Sequence, residues 1–464
     1  MENEIQISEL SLLKCEEYVE PTPIERFKLS FIELLHSPFD LFYLFLIKII
    51  GYSGFSILTV CGSIYVTKVI GLSDKEYGLY ALGLGGMSCL YAFTLGIIPD
   101  RLGIRFSMII SSTAGIVSYL LLIYLNDPNL QILTILILFS IPLSINVPAS
   151  KLGIKKYTNT HARSIAFSIF IILVFACGGI AGIIVGFGLN LGSDEEEETY
   201  ISLFWIAVGL MMVALVLSFF LRELDYNMRG NQELQIKWNG ESVWESATAS
   251  FQYKSFWRVM AVAFAVSCAR SVYLHLTITL PLYMERDIKS GSQFGYIIAL
   301  NQFLSLIFCP TLTMLVYYID KYTLLLIGCT ISALSPLVLL YEASYTTVII
   351  FVLCASFGES IHFPRLIEYT LESAAKGREG AYFSISNFPI SIGYMFAGLA
   401  SGLLLNEYCP EDGERQCWMV WLVISLMAMC GVLVLFFCRK WIEQPLSESN
   451  PYMPWSEENI DDGL

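Results

Sequence analysis

The chain has 464 residues, of which 55% are hydrophobic and only 15% are charged, and its mean hydropathy is +0.63. Soluble globular domains carry nearer to 25% charged residues, so this composition excludes an ordinary soluble enzyme. The net charge of −14 arises largely in the two tails and in the acidic run 194–198. Such runs are normally hydrated, and we expect neither a nucleic-acid partner nor a cofactor or metal.

Twelve apolar stretches follow one another along the chain, each close to the roughly 20 residues that cross a bilayer. They form two sets of six, 40–221 and 256–438, separated by a polar linker at 222–255. A cytoplasmic tail without a cleavable signal is expected at 1–39, and an acidic cytoplasmic tail at 439–464. The predicted helices lie near 40–67, 77–98, 106–125, 130–150, 164–189, 200–221, 256–284, 293–317, 322–341, 345–366, 380–405 and 418–438. The sequence therefore predicts an all-α membrane protein.

The two sets of helices resemble each other at a constant spacing of 216 residues. Ser144–Pro148 reads SINVP and Ser360–Pro364 reads SIHFP, near the ends of the fourth and tenth helices. At the same offset, the FSI of Phe167–Ile169 recurs in Phe383–Ile385. Several matches at one spacing indicate duplication of a six-helix unit, which is a transporter architecture.

Between the second and third predicted helices, residues 96–105 read GIIPDRLGIR. This segment resembles the signature loop of the major facilitator superfamily, G-x-x-x-D-R-x-G-R-R, and lacks only the first of its two closing basic residues. The resemblance implies a twelve-helix transporter whose cytoplasmic gate includes Gly96, Asp100, Arg101, Gly103 and Arg105. The alternative is a plain tight turn, which Gly103 would permit.

The equivalent loop of the second half keeps only Asp320 and Lys321, without the glycines. A second hypothesis therefore stays open, in which the protein is a transporter-like sensor or assembly component of a membrane complex that does not cycle. The intact Asp100 and Arg101 pair favours a cycling transporter. An enzyme is not expected, because no nucleophile, metal cluster or phosphate-binding loop stands out.

Intramembrane polar residues are costly unless they face protein or a water-filled cavity, so they mark the substrate route. The resemblance implies that helices 3, 6, 9 and 12 lie outside the cavity, and those predicted spans contain no charged residue, Asn, Gln or His. Arg270 lies about 21 Å along helix 7, near mid-membrane. Its guanidinium suits an anionic substrate group, and the alternative is a structural pair with Glu359. The predicted substrate-binding residues are Arg270, Asn146, Asn301, Gln302 and Asn387.

Glu359 and His362 are three residues apart on helix 10 and share a face. A carboxylate beside an imidazole can exchange a proton, so the pair is our hypothesis for proton coupling. The alternative is a polar support for a kink at Pro364. Lys48 lies only about eight residues inside helix 1, and we expect it to snorkel to the cytoplasmic surface.

Within the superfamily, Tyr52–Gly54 and Arg163–Phe170 are similar to segments of proton-coupled oligopeptide transporters. Those proteins carry an E-x-x-E-R cluster on helix 1, whereas Lys48–Gly51 here contains no acid. Peptide transport is therefore not the expected function. We expect a monomeric secondary transporter of a small organic anion or zwitterion, with or without proton coupling.

Twenty of the 27 Lys and Arg fall in segments on the side of the two termini, and five on the opposite side. The positive-inside rule then predicts cytoplasmic termini. Cys409 and Cys417 are the two Cys outside a predicted span on the opposite side, where a disulfide can persist. Glu9–Leu13 resembles an acidic dileucine sorting signal, so the membrane remains open between the plasma membrane and an endolysosomal or other organellar membrane.

Overall fold

The computed structural model describes residues 31–95, 98–192, 196–223, 254–288, 293–316, 319–373 and 379–442. Most of the predicted N-terminal tail and linker and nearly all of the C-terminal tail lie outside these residues. Gly96 also lies outside them, as do the side chains of Asp100 and Asn387. Three of the predicted site residues are therefore not placed.

The first half consists of six consecutive helices. Helix α1 continues past Ile64 as a short π-helix, and α4 contains a similar π-helical stretch at Ile135–Phe139. The six are α1 (Phe39–Val69), α2 (Asp74–Thr94), α3 (Ile98–Tyr124), α4 (Pro128–Tyr157), α5 (Thr160–Leu191) and α6 (Glu196–Phe220).

The second half repeats this arrangement. Helix α7 continues through the short segments Leu280–Tyr283 and Met284–Ile288. The six are α7 (Lys254–Ile278), α8 (Phe294–Leu315), α9 (Lys321–Leu340), α10 (Tyr345–Glu372), α11 (Glu379–Tyr408) and α12 (Cys417–Ile442). The predicted all-α membrane fold is confirmed, and the described residues contain no β-strand.

Among the described residues, eleven helices are long and apolar enough to cross a membrane by length and composition, and α2 is not one of them. Helix α2 is rich in glycine because it packs closely against the other half. A Cβ on Gly78 of α2 would lie 3.1 Å from the Cα of Gly402 on α11. Helices α5 and α8 meet in the same way, and a Cβ added on Gly182 would lie 2.7 Å from the carbonyl oxygen of Gly295. Small residues thus let the halves approach closely.

Several helices are longer than their predicted spans. Helix α4 continues to Tyr157 and carries Lys155 and Lys156 in its last turn, where cations favour the helix C-terminus. Helix α5 begins at Thr160 because the side chain of Asn159 accepts from the amide of Ala162 at 2.8 Å. Hydropathy detects only the part of a helix in hydrocarbon, so it misses such polar ends.

Candidate functional site

Lys48 on α1 is 0% exposed in the middle of the first half. Its Nζ donates to Oδ1 of Asn146 on α4 at 2.6 Å and lies 3.7 Å from the ring centroid of Tyr52. The expectation that Lys48 snorkels to the surface is therefore wrong. No described carboxylate pairs with this ammonium, whose described neighbours are an amide oxygen and the aromatic rings of Tyr52 and Phe170.

Arg270 is the buried cation of the second half and lies on α7, against α10. Its Cζ lies 4.0 Å from the ring centroid of Phe363, and its Nη2 lies 4.0 Å from Oε1 of Glu359. That separation is too long for a hydrogen bond. Nε and Nη1 of Arg270, and Oε2 of Glu359, are buried without a hydrogen-bond partner in the described part of the chain. The ion pair is loose, and donors remain free on both edges of the guanidinium.

The predicted residues of α8 have two different surroundings. The Nδ2 of Asn301 donates to Ser356 on α10 at 2.8 Å, which ties two helices of the second half together. The Nε2 of Gln302 donates to the hydroxyl of Tyr273 on α7 at 2.6 Å. Gln302 also lies against Gly178 of α5, where an added Cβ would meet its Cδ at 2.9 Å. Gln302 is therefore at the boundary between the halves, beside the Arg270 region.

The surroundings of the two buried cations meet where α5 packs on α8. The sulfur of Cys177 on α5 lies 3.7 Å from the carbonyl oxygen of Lys48, and the next residue, Gly178, packs against Gln302. Gln302 bonds to Tyr273, whose ring centroid lies 6.0 Å from Cζ of Arg270. The two cations therefore flank one boundary between the halves.

Aromatic residues complete the surroundings of Arg270, and the hydroxyl of Tyr394 on α11 also interacts with it. The sequence did not single out Tyr394, Tyr273 or Phe363, because an aromatic residue on an apolar helix looks the same in a core and in a cavity.

His362 and Glu359 diverge although they are one turn apart. Nδ1 of His362 lies 2.8 Å from the carbonyl oxygen of Gly358, and its backbone packs on Gly328 of α9. Glu359 instead faces Arg270 on α7. The structure places the predicted proton-exchanging partners against different helices.

The signature loop is held within the first half. Gly103 has φ +84°, a conformation that favours glycine, and it breaks the first turns of α3. The amide of Arg105 donates to Oε1 of Glu223, just after α6, at 2.6 Å. An added Cβ on Gly103 would lie 2.6 Å from the same oxygen. Arg101 is exposed. Sequence analysis missed Glu223, which looks like an ordinary linker residue.

The weaker loop of the second half forms a helix start. The side chain of Asp320 accepts from the amide of Thr323 at 2.9 Å, and Lys321 begins α9. Asp320 is thus an N-cap residue in this conformation.

The sulfur atoms of Cys409 and Cys417 are bonded, closing the loop between α11 and α12. We call this the disulfide end of the molecule, and the end with the signature loop the motif end. Arg286, at the end of α7, donates to both carboxylate oxygens of Asp74 on α2, at 2.7 and 3.0 Å. It also donates to the carbonyl of Cys409 at 2.8 Å. A bidentate ion pair therefore joins the two halves at the disulfide end.

A second ion pair crosses the halves nearby. Nζ of Lys68, at the end of α1, lies 2.6 Å from Oε1 of Glu411 and 3.4 Å from Oε1 of Glu285. The hydrogen bond from Lys68 lowers the pKa of Glu411. We call Lys68, Asp74, Glu285, Arg286 and Glu411 the latch.

Two six-helix halves that meet around buried polar residues define the fold of a secondary transporter. The sequence model of the Major Facilitator Superfamily matches residues 44–286 and 259–454, and the chain belongs to that superfamily. No curated protein matches the sequence.

Several solved transporters share this fold. An auto-inhibited POT family peptide transporter superposes with a TM-score of 0.71 at 12% identity, covering 90% of this chain and 99% of that one. The nucleoside transporter NupG gives 0.66 at 16% identity over 86% and 99% of the two chains. A bacterial homologue of the human lysosomal transporter Spinster, inward-facing and unoccupied, gives 0.66 at 16% over 90% and 98%. At these identities the likeness shows the fold alone.

Proposed function

We propose that the protein is a secondary transporter that moves a small organic anion or zwitterion by alternating access, coupled to protons through Glu359. The observation that carries this proposal is the state of Arg270. It is a cation in the middle of a membrane-spanning helix, its side chain is only 14% exposed, and two of its three nitrogens lack a hydrogen-bond partner among the described residues.

An unsatisfied guanidinium is expensive inside a membrane protein, so its retention favours a ligand role. Phe363 covers one face of the Arg270 guanidinium, and its buried Nε and Nη1 have no hydrogen-bond partner among the described residues. A carboxylate or phosphate of the substrate would accept from those edges, which is the geometry that arginine suits best. Gln302 and Tyr273 form a neutral polar wall beside it.

Glu359 supports a coupling mechanism because it competes with the substrate for Arg270. The titratable groups around Glu359 are Arg270 and Tyr273 on α7 and Cys309 on α8, with His362 on its own helix. Deprotonated Glu359 neutralises the guanidinium. Protonated Glu359 releases it for an anion, so binding of a proton and binding of the substrate favour each other. His362, which faces α9, is the second titratable group of this proposal.

The latch supports the alternating-access part of the proposal. In this conformation the ion pairs of Arg286 and Lys68 hold the halves together at the disulfide end. We infer that the substrate reaches Arg270 from the motif end in this state. With cytoplasmic termini this is the inward-facing state, and opening of the latch would accompany the return.

Uptake into proteoliposomes tests the proposal, using organic acids, amino acids and sugars with and without an imposed pH gradient. We expect Glu359→Gln to abolish accumulation against a gradient while exchange of substrate continues, because only the net step needs deprotonation. Glu368→Gln is the matched control, since this carboxylate on the same helix pairs with Arg365 instead. Accumulation by Glu359→Gln at the wild-type level would contradict the coupling.

A further inference from the structure

We propose that Lys48 and Asn146 form a second anion-binding subsite, so that the substrate carries two anionic groups, one held by each half of the protein. This inference rests on the anion transport proposed above. It assigns the second group of a dianion, such as a dicarboxylate, to α1 and α4, and the first to Arg270 on α7.

Lys48 is a buried cation with few polar contacts. It is 0% exposed, and its Nζ contacts the Asn146 oxygen at 2.6 Å and the Tyr52 ring at 3.7 Å. Burial of an ammonium with no described carboxylate bonded to it is unfavourable, and an arriving anion would stabilise its charged form. Arg270 of the second half faces the carboxylate of Glu359, whereas no carboxylate among the described residues is bonded to Lys48.

Asn146 supplies the second argument. Its oxygen accepts from Lys48, while its Nδ2 donates to the sulfur of Met108 at 3.5 Å. A thioether is a weak acceptor, so this amide donor gains by turning to a carboxylate oxygen. An ammonium and an amide N–H would then bind the same anionic group. A small cleft of about 10 Å³ beside them is lined in part by Tyr52, Ser111 and Ser112.

The position of the subsite relative to Arg270 is the third argument. The sulfur of Cys177 on α5 lies 3.7 Å from the carbonyl oxygen of Lys48, and the next residue, Gly178, packs against Gln302 of α8. Gln302 bonds to Tyr273, whose ring centroid lies 6.0 Å from Cζ of Arg270. The two cations therefore lie on either side of the boundary where α5 packs on α8, and a ligand with one anionic group at each end would bridge this boundary. Its binding would link the halves directly, which an anion held by Arg270 alone would not.

The net charge of the site matches the transport of a dianion together with a proton. Lys48 and Arg270 contribute two positive charges and Glu359 one negative charge, which leaves one positive charge. A proton on Glu359 raises this to two, which a dianion neutralises. A monoanion would leave a buried positive charge during the passage, at an electrostatic cost.

Binding to the purified full-length protein tests the inference. The probes are α,ω-dicarboxylates of three to six carbons, each compared at pH 7 with its own monomethyl ester by isothermal titration calorimetry. We expect the diacid of the best length to bind about tenfold more tightly than its ester, or better. Lys48→Met should remove this preference, so that the diacid and its ester bind about equally well. Lys48→Arg, which keeps the charge, should restore part of the preference.

The outcomes separate this inference from the proposed function. Esters that bind as tightly as their diacids at every length would overturn the second subsite, and leave transport of a monoanion or zwitterion in place. A preference that survives Lys48→Met would also overturn it. If neither diacids nor esters bind and proteoliposomes take up no anion, both the second subsite and the proposed anion transport are overturned. The wild-type comparison alone decides the inference if Lys48→Met does not fold.

Discussion

The ion pair of Asp74 and Arg286 offers the sharpest prediction, because it is bidentate and joins the two halves at the disulfide end. Its side chains are only 11% and 4% exposed, and two hydrogen bonds of 2.7 and 3.0 Å connect them. Removing one partner of a buried pair costs about 3 to 5 kcal/mol. In the state that is open at the disulfide end, water would hydrate both Asp74 and Arg286. Loss of one partner would therefore destabilise mainly the closed state.

We take about 3 kcal/mol, the low end of that range, because Asp74 keeps some exposure. Arg286→Ala should then shift the balance between the two states by roughly 100-fold towards opening at the disulfide end. Spin labels at Lys75→Cys and Glu407→Cys, exposed positions of α2 and α11, report the opening as a longer distance by pulsed electron resonance. The labelling background lacks other reactive thiols but retains the disulfide.

Asp412→Ala is the matched control, since Asp412 is an exposed carboxylate of the disulfide loop. It should leave the label distances unchanged. A charge exchange, Asp74→Arg with Arg286→Asp, should restore the closed distance in part. If Arg286→Ala gives the same distance distribution as the wild type, the latch has no energetic role and the reasoning is refuted.

Three further changes probe the two ends of the molecule. Gly103→Ala should lower the melting temperature markedly because of its φ of +84° and the carboxylate 2.6 Å away, whereas Gly209→Ala, with open space around it, should be neutral or stabilising. Cys409→Ser removes the disulfide of the loop between α11 and α12 and should destabilise the protein by roughly 2 to 3 kcal/mol, and an unlinked Cys409 in a non-reduced digest would contradict this. The pKa of Glu411 is lowered in the folded protein, so its contact with Lys68 is fully present above the ordinary glutamate pKa of about 4.3. The contact is lost only when the pH falls through the lower pKa of the folded state. The label distance should therefore stay constant from about pH 7 to 5, and lengthening within that range would contradict the assignment.

The membrane fold could be predicted from the sequence because hydropathy and turn residues are local properties. The sequence also indicated that Arg270 and Glu359 could pair, since both lie deep in cavity-lining helices. It failed for Lys48, whose depth along α1 suggested an exposed end. The partner that keeps Lys48 buried is Asn146, 98 residues away. No local pattern reports such a contact.

The latch also depends on contacts between residues that are far apart in the sequence. Arg286 and Asp74 are 212 residues apart, and Lys68 and Glu411 are 343 apart. Each of these residues resembles an ordinary charge at a helix end or loop. Their pairing depends on how the two halves dock, which the spacing of apolar residues within either half does not determine. The aromatic residues around Arg270 were missed for the related reason that their helix faces are apolar.

Counterflow in sealed proteoliposomes shows whether the protein carries an organic anion through a complete transport cycle. Vesicles are loaded with an unlabelled organic anion, and entry of the labelled anion is followed without any ion gradient, so that only a cycling carrier produces a transient accumulation. We expect counterflow in the wild type, a reduced rate in Arg270→Lys, which keeps the charge but loses the planar fork, and none in Arg270→Gln. Wild-type vesicles that bind organic anions without counterflow would contradict the account and favour a non-cycling sensor. Undiminished counterflow in Arg270→Gln would contradict the role of Arg270 as the anion anchor.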